Sequence, residues 1–372
     1  MNRIDAFLEL VVNQGGSDLH LVAGNQPRIR LNGEAHIIKY RELSAEETED
    51  LLYEIMPEEI KSSFREKGGA DFAYEISDYS RFRVNIFKHI NGLGAVFRVI
   101  PTHIKTLNEL GLPPVIKNFC RQQRGLILVT GPTGSGKSTT LAAMVDFINT
   151  EKKGHIITIE DPIEFIHKNK NCLISQREVG VHTDQFSTAL RSSLREDPNV
   201  VLVGELRDFD TIHMALTAAE TGILVIATLH TSSAASSIDR IINVFPPGEE
   251  HFVRTMLSTS LVAVISQQLL RGINGKTRVA AHEIMINNSA ISNVIREGNT
   301  EQFENVMQSS ISQGMQLMDT SILRLFDAKL ISGEEAYLKS KNKSNFEHYC
   351  ETGIPDSNKD KIKKNNALPQ TN

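Results

Sequence analysis

Gly131-Pro132-Thr133-Gly134-Ser135-Gly136-Lys137-Ser138-Thr139 stands between an apolar run, Gly125-Leu126-Ile127-Leu128-Val129-Thr130, and a segment of helical spacing, Thr140–Ile148. The run before it reads as a buried strand and the segment after it as a helix. A G-x-x-x-x-G-K-S turn between strand and helix is the setting of a phosphate-binding loop. Its glycines let successive backbone N–H groups curve inward as an anion nest at the positive end of the helix. In that reading Lys137 reaches the β- and γ-phosphates of ATP, and the Ser138 hydroxyl takes one coordination position on Mg²⁺.

Outward from this loop, apolar strand candidates alternate with helical stretches: Leu126–Val129, Ile156–Ile159, Val200–Val203 and Leu224–Ala227. Such alternation implies an α/β fold with a parallel, doubly wound sheet buried on both faces. Each strand is followed by polar residues. The loop follows the first, Glu160-Asp161-Pro162-Ile163-Glu164 the second, Gly204-Glu205 the third and Thr228-Leu229-His230 the fourth. Open α/β sheets bind ligands beyond the carboxyl ends of their strands, so parallel neighbours bring these clusters together at the phosphates.

The residues before position 100 have a different pattern. Ile4–Val12 reads as an amphipathic helix stopped by Gly15-Gly16, and Ser17–Leu21 alternates as a strand. Asn32-Gly33 between Arg28–Leu31 and Ala35–Ile38 signals a hairpin. Ser44 with Glu47 forms an S-x-x-E capping box before a helix that Pro57 bends or restarts. Asp71–Ile76, Arg81–His89 and Gly94–Ile100 are strand-like. The expected organisation is a small α/β domain over 1–100, a linker over 101–114 marked by Pro101 and Pro113-Pro114, and a nucleotide-binding domain over 115–340. The chain after Ile238 looks helical, apart from a glycine-rich hairpin at 272–276 and a strand at Val279–Ile286. Helices are expected over 290–296, 300–307 and 316–328, and a polar, disordered tail over 341–372.

Composition fits an ordinary soluble chain. It is 40% apolar and 23% charged, with net charge −5, so it lacks the overall basic footprint of a nucleic-acid binder. No nucleic-acid partner is expected; the rival reading, a hexameric nucleic-acid motor, would show nucleic-acid-stimulated hydrolysis with a steep salt dependence. The first five residues carry Asp5 and open no long apolar region, unlike a secretory signal. Cys120, Cys172 and Cys350 are widely spaced, which speaks for a reducing cytoplasm rather than a disulfide or zinc framework.

Glu205, at the end of an apolar strand, is placed to orient or deprotonate the water that attacks a γ-phosphate. Many phosphate-binding-loop enzymes end this strand with a metal-holding Asp. Gly204 stands there instead, leaving the metal to Ser138, the phosphates and water. Glu160, Asp161 and Glu164 position water or second-shell ligands of Mg²⁺, or else Asp161-Pro162 only shapes a turn. His230 senses the γ-phosphate, bridges to Glu205, or is simply a hydrogen-bonded structural residue. A site with one lysine also calls for arginine, often from another subunit. Arg81, Arg83 and Arg98 on strands, or Arg191 and Arg195 four apart on one helix face, are the candidates.

These motifs, in one order, resemble the type II/type IV secretion ATPase superfamily: the loop, Ile159–Phe165, Leu190–Asp208 with Leu202-Val203-Gly204-Glu205-Leu206-Arg207-Asp208, and Thr228-Leu229-His230-Thr231. Ser17–Leu21, Arg81–Asn85 and Gly314-Met315-Gln316 resemble its pilus retraction ATPases of twitching motility. The resemblance implies a PAS-like N-terminal α/β domain, a RecA-like P-loop ATPase domain with a parallel sheet, and a homo-hexamer with ATP sites between subunits. It also implies Glu205 as catalytic carboxylate, and Arg81, Arg98, Arg191 and Arg195 as interfacial phosphate or subunit contacts. The expected partners are a pilus inner-membrane platform protein and a paralogous retraction ATPase, with the motor at the inner-membrane base of the pilus machine. In these ATPases a helix often reads A-I-R-N-L-I-R-E. Here it is Ala290–Glu297 with Ser292 in place of the first arginine, a departure that fits an accessory paralogue.

Overall fold

The computed structural model describes residues 2–31, 33–76, 80–100, 104–275 and 277–350. The chain divides into two units, Met1–Ile104 with Glu164–Ile166, and Lys105–Ile163 with His167–Asn372. Asn32 of the expected hairpin, residues 101–103 of the linker, Lys276 of the glycine-rich turn and the tail from 351 lie outside the described residues.

The first unit is built on an antiparallel sheet. Its strands are β1 (Asp18–Val22), β2 (Arg28–Leu31), β3 (Glu34–Ile37), β4 (Gly69–Ile76), β5 (Ser80–His89) and β6 (Gly92–Ile100), in the order β3-β2-β1-β6-β5-β4. Helices Asp5–Asn13, Ala45–Ile55 and Glu58–Lys67 place Leu8, Val11, Leu51, Leu52, Ile55 and Phe64 in a core with Phe72, Phe82 and Phe97. Ser44 accepts the Glu47 N–H at 3.1 Å, as an N-cap should. The Glu47 carboxylate turns instead to Arg41 at 2.7 Å, a charged partner being the stronger donor. Pro57, which cannot continue a hydrogen-bonded turn, separates the second helix from the third.

The second unit holds a seven-stranded sheet. Its strands are β7 (Gly125–Thr130), β8 (Gly154–Glu160), β9 (Cys172–Glu178), β10 (Val200–Val203), β11 (Leu224–Leu229), β12 (Leu261–Arg271) and β13 (Arg278–Ile286), ordered β13-β12-β7-β11-β10-β8-β9. Among the described residues, the β12–β13 strand pair is antiparallel and the other pairs of neighbouring strands in this sheet are parallel. Alternate residues serve opposite cores: Leu126, Leu128, Val201, Val203, Val225 and Ala227 on one side, and Ile127, Val129, Leu202, Leu224 and Ile226 on the other. Both faces are buried, which is why these strands read as unbroken apolar runs.

Two strands depart from expectation. β12 occupies a stretch that reads as helical, because a strand buried on both faces loses the period of two and resembles a buried helix. β9 is a half-polar edge strand, so it lacks the apolar run of its neighbours. The helix expected from 316 begins at Met318, since Gln316 is held in a backbone bridge to Ile284. The tail expected from 341 is corrected as far as 350. Short 3₁₀ turns there bury Phe346 against Leu270, Ile322, Ile331 and Tyr337.

Candidate nucleotide site

The loop takes its shape at three glycines with positive φ: Gly131 (147°), Gly134 (77°) and Gly136 (89°). These values favour residues without a Cβ. Close approach adds a second reason: a Cβ on Gly131 would lie 2.3 Å from the Gln267 carbonyl oxygen. The helix Lys137–Glu151 opens immediately after Gly136, with no acidic residue in its first turn to occupy its positive end. Lys137 Nζ donates to the carbonyls of Gly131 (2.7 Å) and Pro132 (3.2 Å), which folds the ammonium back over the loop. The Ser135 hydroxyl is buried and has no hydrogen-bond partner among the described residues. A glycine-shaped turn, a lysine, an open helix end and an unsatisfied hydroxyl suit a polyphosphate. Pro132, Thr133 and Gly134 are exposed on the outer side of the loop, and Ser138 and Thr139 are half-buried in the first helical turn.

For Mg²⁺ the chain offers few ligands. Among the described residues no group of three His, Cys, Asp or Glu side chains gathers to hold a metal, so Ser138, phosphate oxygens and water would supply the donors. Gly204 has a steric reason: a Cβ there would lie 3.2 Å from the Ile159 oxygen and 3.3 Å from the Glu160 Cα.

Because β7, β11, β10 and β8 are parallel neighbours, with Val203 opposite both Ile159 and Ala227, their carboxyl ends share one edge. Glu205 sits there with its side chain 20% exposed. Arg207 Nε donates to its Oε2 at 2.7 Å, and His230 Nε2 lies 3.3 Å from its Oε1. The Arg207 guanidinium also comes within 3.6 Å of Asp161. Thr228, on the strand leading to His230, donates its hydroxyl to the Gly204 carbonyl and accepts the Leu206 N–H through its own carbonyl at 3.0 Å. The loop carrying Glu205 is thus fastened to the one carrying His230. Of the alternatives open for His230, the bridge to Glu205 is the one this geometry contains.

The other candidates are less closely gathered. Glu160 accepts from Thr158 Oγ1 at 2.7 Å and from Gln176 Nε2 at 3.3 Å. Glu164 is exposed in the segment Glu164–Ile166 that belongs to the first unit. Arg81 and Arg98 are on β5 and β6 of that unit, and Arg98 Nε donates to the buried Asp18 carboxylate at 3.0 Å. Arg191 is exposed in the last turn of the helix Phe186–Ser193. Arg195 is not on that helix, contrary to the i, i+4 reading. The helix ends at Ser193, Arg195 falls in the following turn, and Asp197 before Pro198 adopts φ 52°. Past Ser193 the backbone tightens into turns, with the Arg195 N–H bonding the Ser192 carbonyl at 3.0 Å and the Glu196 N–H the Ser193 carbonyl at 3.0 Å.

A family model described as type II/IV secretion system protein matches residues 1–356. The chain belongs to the type II/IV secretion system protein family. Among members of this family it is 52% identical over 343 residues to the type IV pilus retraction ATPase PilT of Pseudomonas aeruginosa, covering 92% of this chain and 99% of that one. It is 40% identical over 332 residues to the type IV pilus ATPase PilU of the same organism, covering 89% and 87%. A crystal structure of the pilus retraction motor PilT with bound ADP superposes with a TM-score of 0.87 at 42% identity, over 94% of this chain and 99% of that one. The α/β, RecA-like P-loop fold with a parallel sheet expected for the nucleotide domain is therefore the fold found.

Arg207 and Gln267 were not singled out from sequence. Arg207 had a readable signal, since residues two apart in an extended loop face the same side and it lies two after Glu205. Gln267 had none, because its strand reads as a helix.

Proposed function

We propose that this chain is the ATP-hydrolysing motor of type IV pilus retraction, driving pilin disassembly and twitching motility. The observation that carries the reading is the shared edge of the parallel sheet, where a lysine-bearing phosphate loop and the Glu205–His230–Arg207 cluster stand at adjacent strand ends in a chain 52% identical to PilT. Lys137 and the loop N–H groups bind the phosphates of ATP, and Ser138 holds Mg²⁺. Mg²⁺ supplies charge neutralisation across the phosphates when bound. Glu205 orients the attacking water and takes its proton. Arg207 and His230 hold the Glu205 carboxylate, and Glu160 ends β8, the strand beside the one that leads to Glu205.

The working assembly in this reading is a homo-hexamer at the inner-membrane base of the pilus machine, engaging its platform protein. Arg81, Arg98, Arg191 and Arg195 serve as phosphate or subunit contacts across the interfaces. Among the described residues no helix is long and apolar enough to cross a membrane, which fits a peripheral position. A second reading, an accessory paralogue of the motor, is favoured by Ser292. Its hydroxyl lies 3.0 Å from the Ser258 carbonyl and 2.9 Å from Asn287 Oδ1, so it fastens its helix locally. The greater identity to PilT than to PilU supports the principal motor.

The deciding experiment is pilus retraction in cells lacking this chain. Loss of retraction that the wild-type chain restores and Lys137→Ala does not is the expected result. Normal retraction without the chain would refute the principal-motor reading. Light scattering of the purified protein with ATP should find six copies, and an active monomer would sink the ring.

A further inference from the structure

The geometry points to Gln267 as a positioning residue for the phosphate-binding loop, one that sets nucleotide affinity from a strand outside all the motifs of the site. Gln267 lies on β12, the strand beside β7, and is 3% exposed. Its carboxamide is used at both ends. Nε2 donates to the Ser135 carbonyl at 2.7 Å, and Oε1 accepts from the Thr140 hydroxyl at 2.7 Å. Ser135 is in the loop and Thr140 in the first turn of the helix that follows, so one planar amide ties the two together.

The glycines of the loop close on the same residue. A Cβ on Gly131 would lie 2.3 Å from the Gln267 backbone oxygen, and one on Gly136 would lie 2.8 Å from Gln267 Nε2. The loop therefore meets Gln267 at Gly131, near its start, and again at the adjacent pair Ser135 and Gly136. Its curvature comes from contact with a side chain as well as from glycine freedom. A backbone carbonyl turned down to Gln267 cannot point into the nest, where it would repel phosphate oxygens. Drawn to Gln267, the Ser135 carbonyl is kept out of the space the phosphates would fill.

A loop ordered before the nucleotide arrives binds without first losing conformational freedom, so removing the tie weakens binding rather than chemistry. Each lost neutral hydrogen bond is worth about three- to tenfold in affinity if its whole effect falls on the bound-competent loop. Once the phosphates are bound, Lys137 and the N–H groups hold the loop, so kcat changes little.

The same two strands carry an internal comparison. Thr130 Oγ1 and Ser266 Oγ are 2.8 Å apart in a buried pair on β7 and β12, one residue away along β12 from Gln267. Losing that hydrogen bond costs stability of a similar kind without touching the loop carbonyl. The test measures the affinity of full-length protein for a fluorescent ADP analogue, the KM and kcat for ATP, and the melting temperature without nucleotide. The variants are Gln267→Met, Thr140→Val, Ser266→Ala and Lys137→Ala. Gln267→Met should raise both the dissociation constant and KM about tenfold with kcat within about twofold. Thr140→Val should move them the same way by a smaller factor, and Ser266→Ala should lower the melting temperature while leaving affinity unchanged.

An unchanged dissociation constant in Gln267→Met overturns the inference, as does an equal rise in Ser266→Ala. If Gln267→Met does not fold, Thr140→Val decides: wild-type affinity there overturns it. The inference rests on the loop being the nucleotide cradle, and Lys137→Ala tests that separately. Wild-type ADP affinity in Lys137→Ala would refute the site itself. Lost affinity in Lys137→Ala with none lost in Gln267→Met would refute only the positioning role.

Discussion

Replacing Glu205 by Gln separates hydrolysis from binding, and the structure fixes how the substitution must sit. Arg207 Nε is a donor 2.7 Å from Oε2, so the amide oxygen has to take that position and the NH₂ group has to face His230. The hydrogen bond from Arg207 survives while the charge is lost. That pair is half-exposed on the arginine side, so its ionic part contributes about 0.2–1 kcal/mol to folding and the melting temperature should drop by no more than about 4 °C. The chemical step loses far more. A carboxylate that orients and deprotonates the attacking water contributes about 10²–10⁴ in rate, or about 3–5 kcal/mol of barrier. Phosphate release in a single turnover should therefore slow by at least about a hundredfold while ATP stays bound through gel filtration. Turnover within about tenfold of wild type would refute Glu205 as the base. Loss of ATP binding as complete as in Lys137→Ala would refute the division of labour.

Lys137→Ala should abolish turnover and weaken ADP binding, because it removes the one ammonium folded over the loop, and calorimetry of ADP binding would read this directly. Arg207→Ala removes the donor from Glu205 without touching the loop, so kcat should fall about tenfold with ADP affinity unchanged; a fall in affinity alone would contradict its role. Gly204→Ala must push apart the Ile159 oxygen and the Glu160 Cα, and denaturant unfolding should show a loss of about 1–3 kcal/mol. His282 is buried with its pKa pushed down to about 4 by loss of solvation. The unfolded chain takes up that proton near pH 6.5, so stability is full above about 6.5 and falls as pH drops towards 4, by about 2 kcal/mol near pH 5. Urea melts at a series of pH values should show this slope in wild type and a flatter one in His282→Leu.

The phosphate loop, the buried strands around it and the acidic and histidine ends of those strands were legible in the chain itself. Local chemistry dictates them. Gly131, Gly134 and Gly136 take a backbone few other residues adopt, and strands such as Val200–Val203 buried on both faces must be apolar throughout. The order of four parallel strands then brings Glu205 and His230 to one edge, 3.3 Å apart, which the sequence motifs anticipated only as one of several possibilities. What lay beyond the sequence is pairing between distant segments. Whether Leu261–Arg271 is strand or helix depends on its neighbour β7, because burial on both faces along most of its length erases the periodicity that distinguishes the two. Arg195 falls in the turn after the helix that ends at Ser193, and Phe346 is buried because a hydrophobic cluster from earlier segments receives it. Gln267 reaches a loop 132 residues away in sequence, at Ser135. Its polarity is tolerated in the core only because that loop satisfies it, a condition that exists after the sheet has formed and nowhere in the linear order of residues.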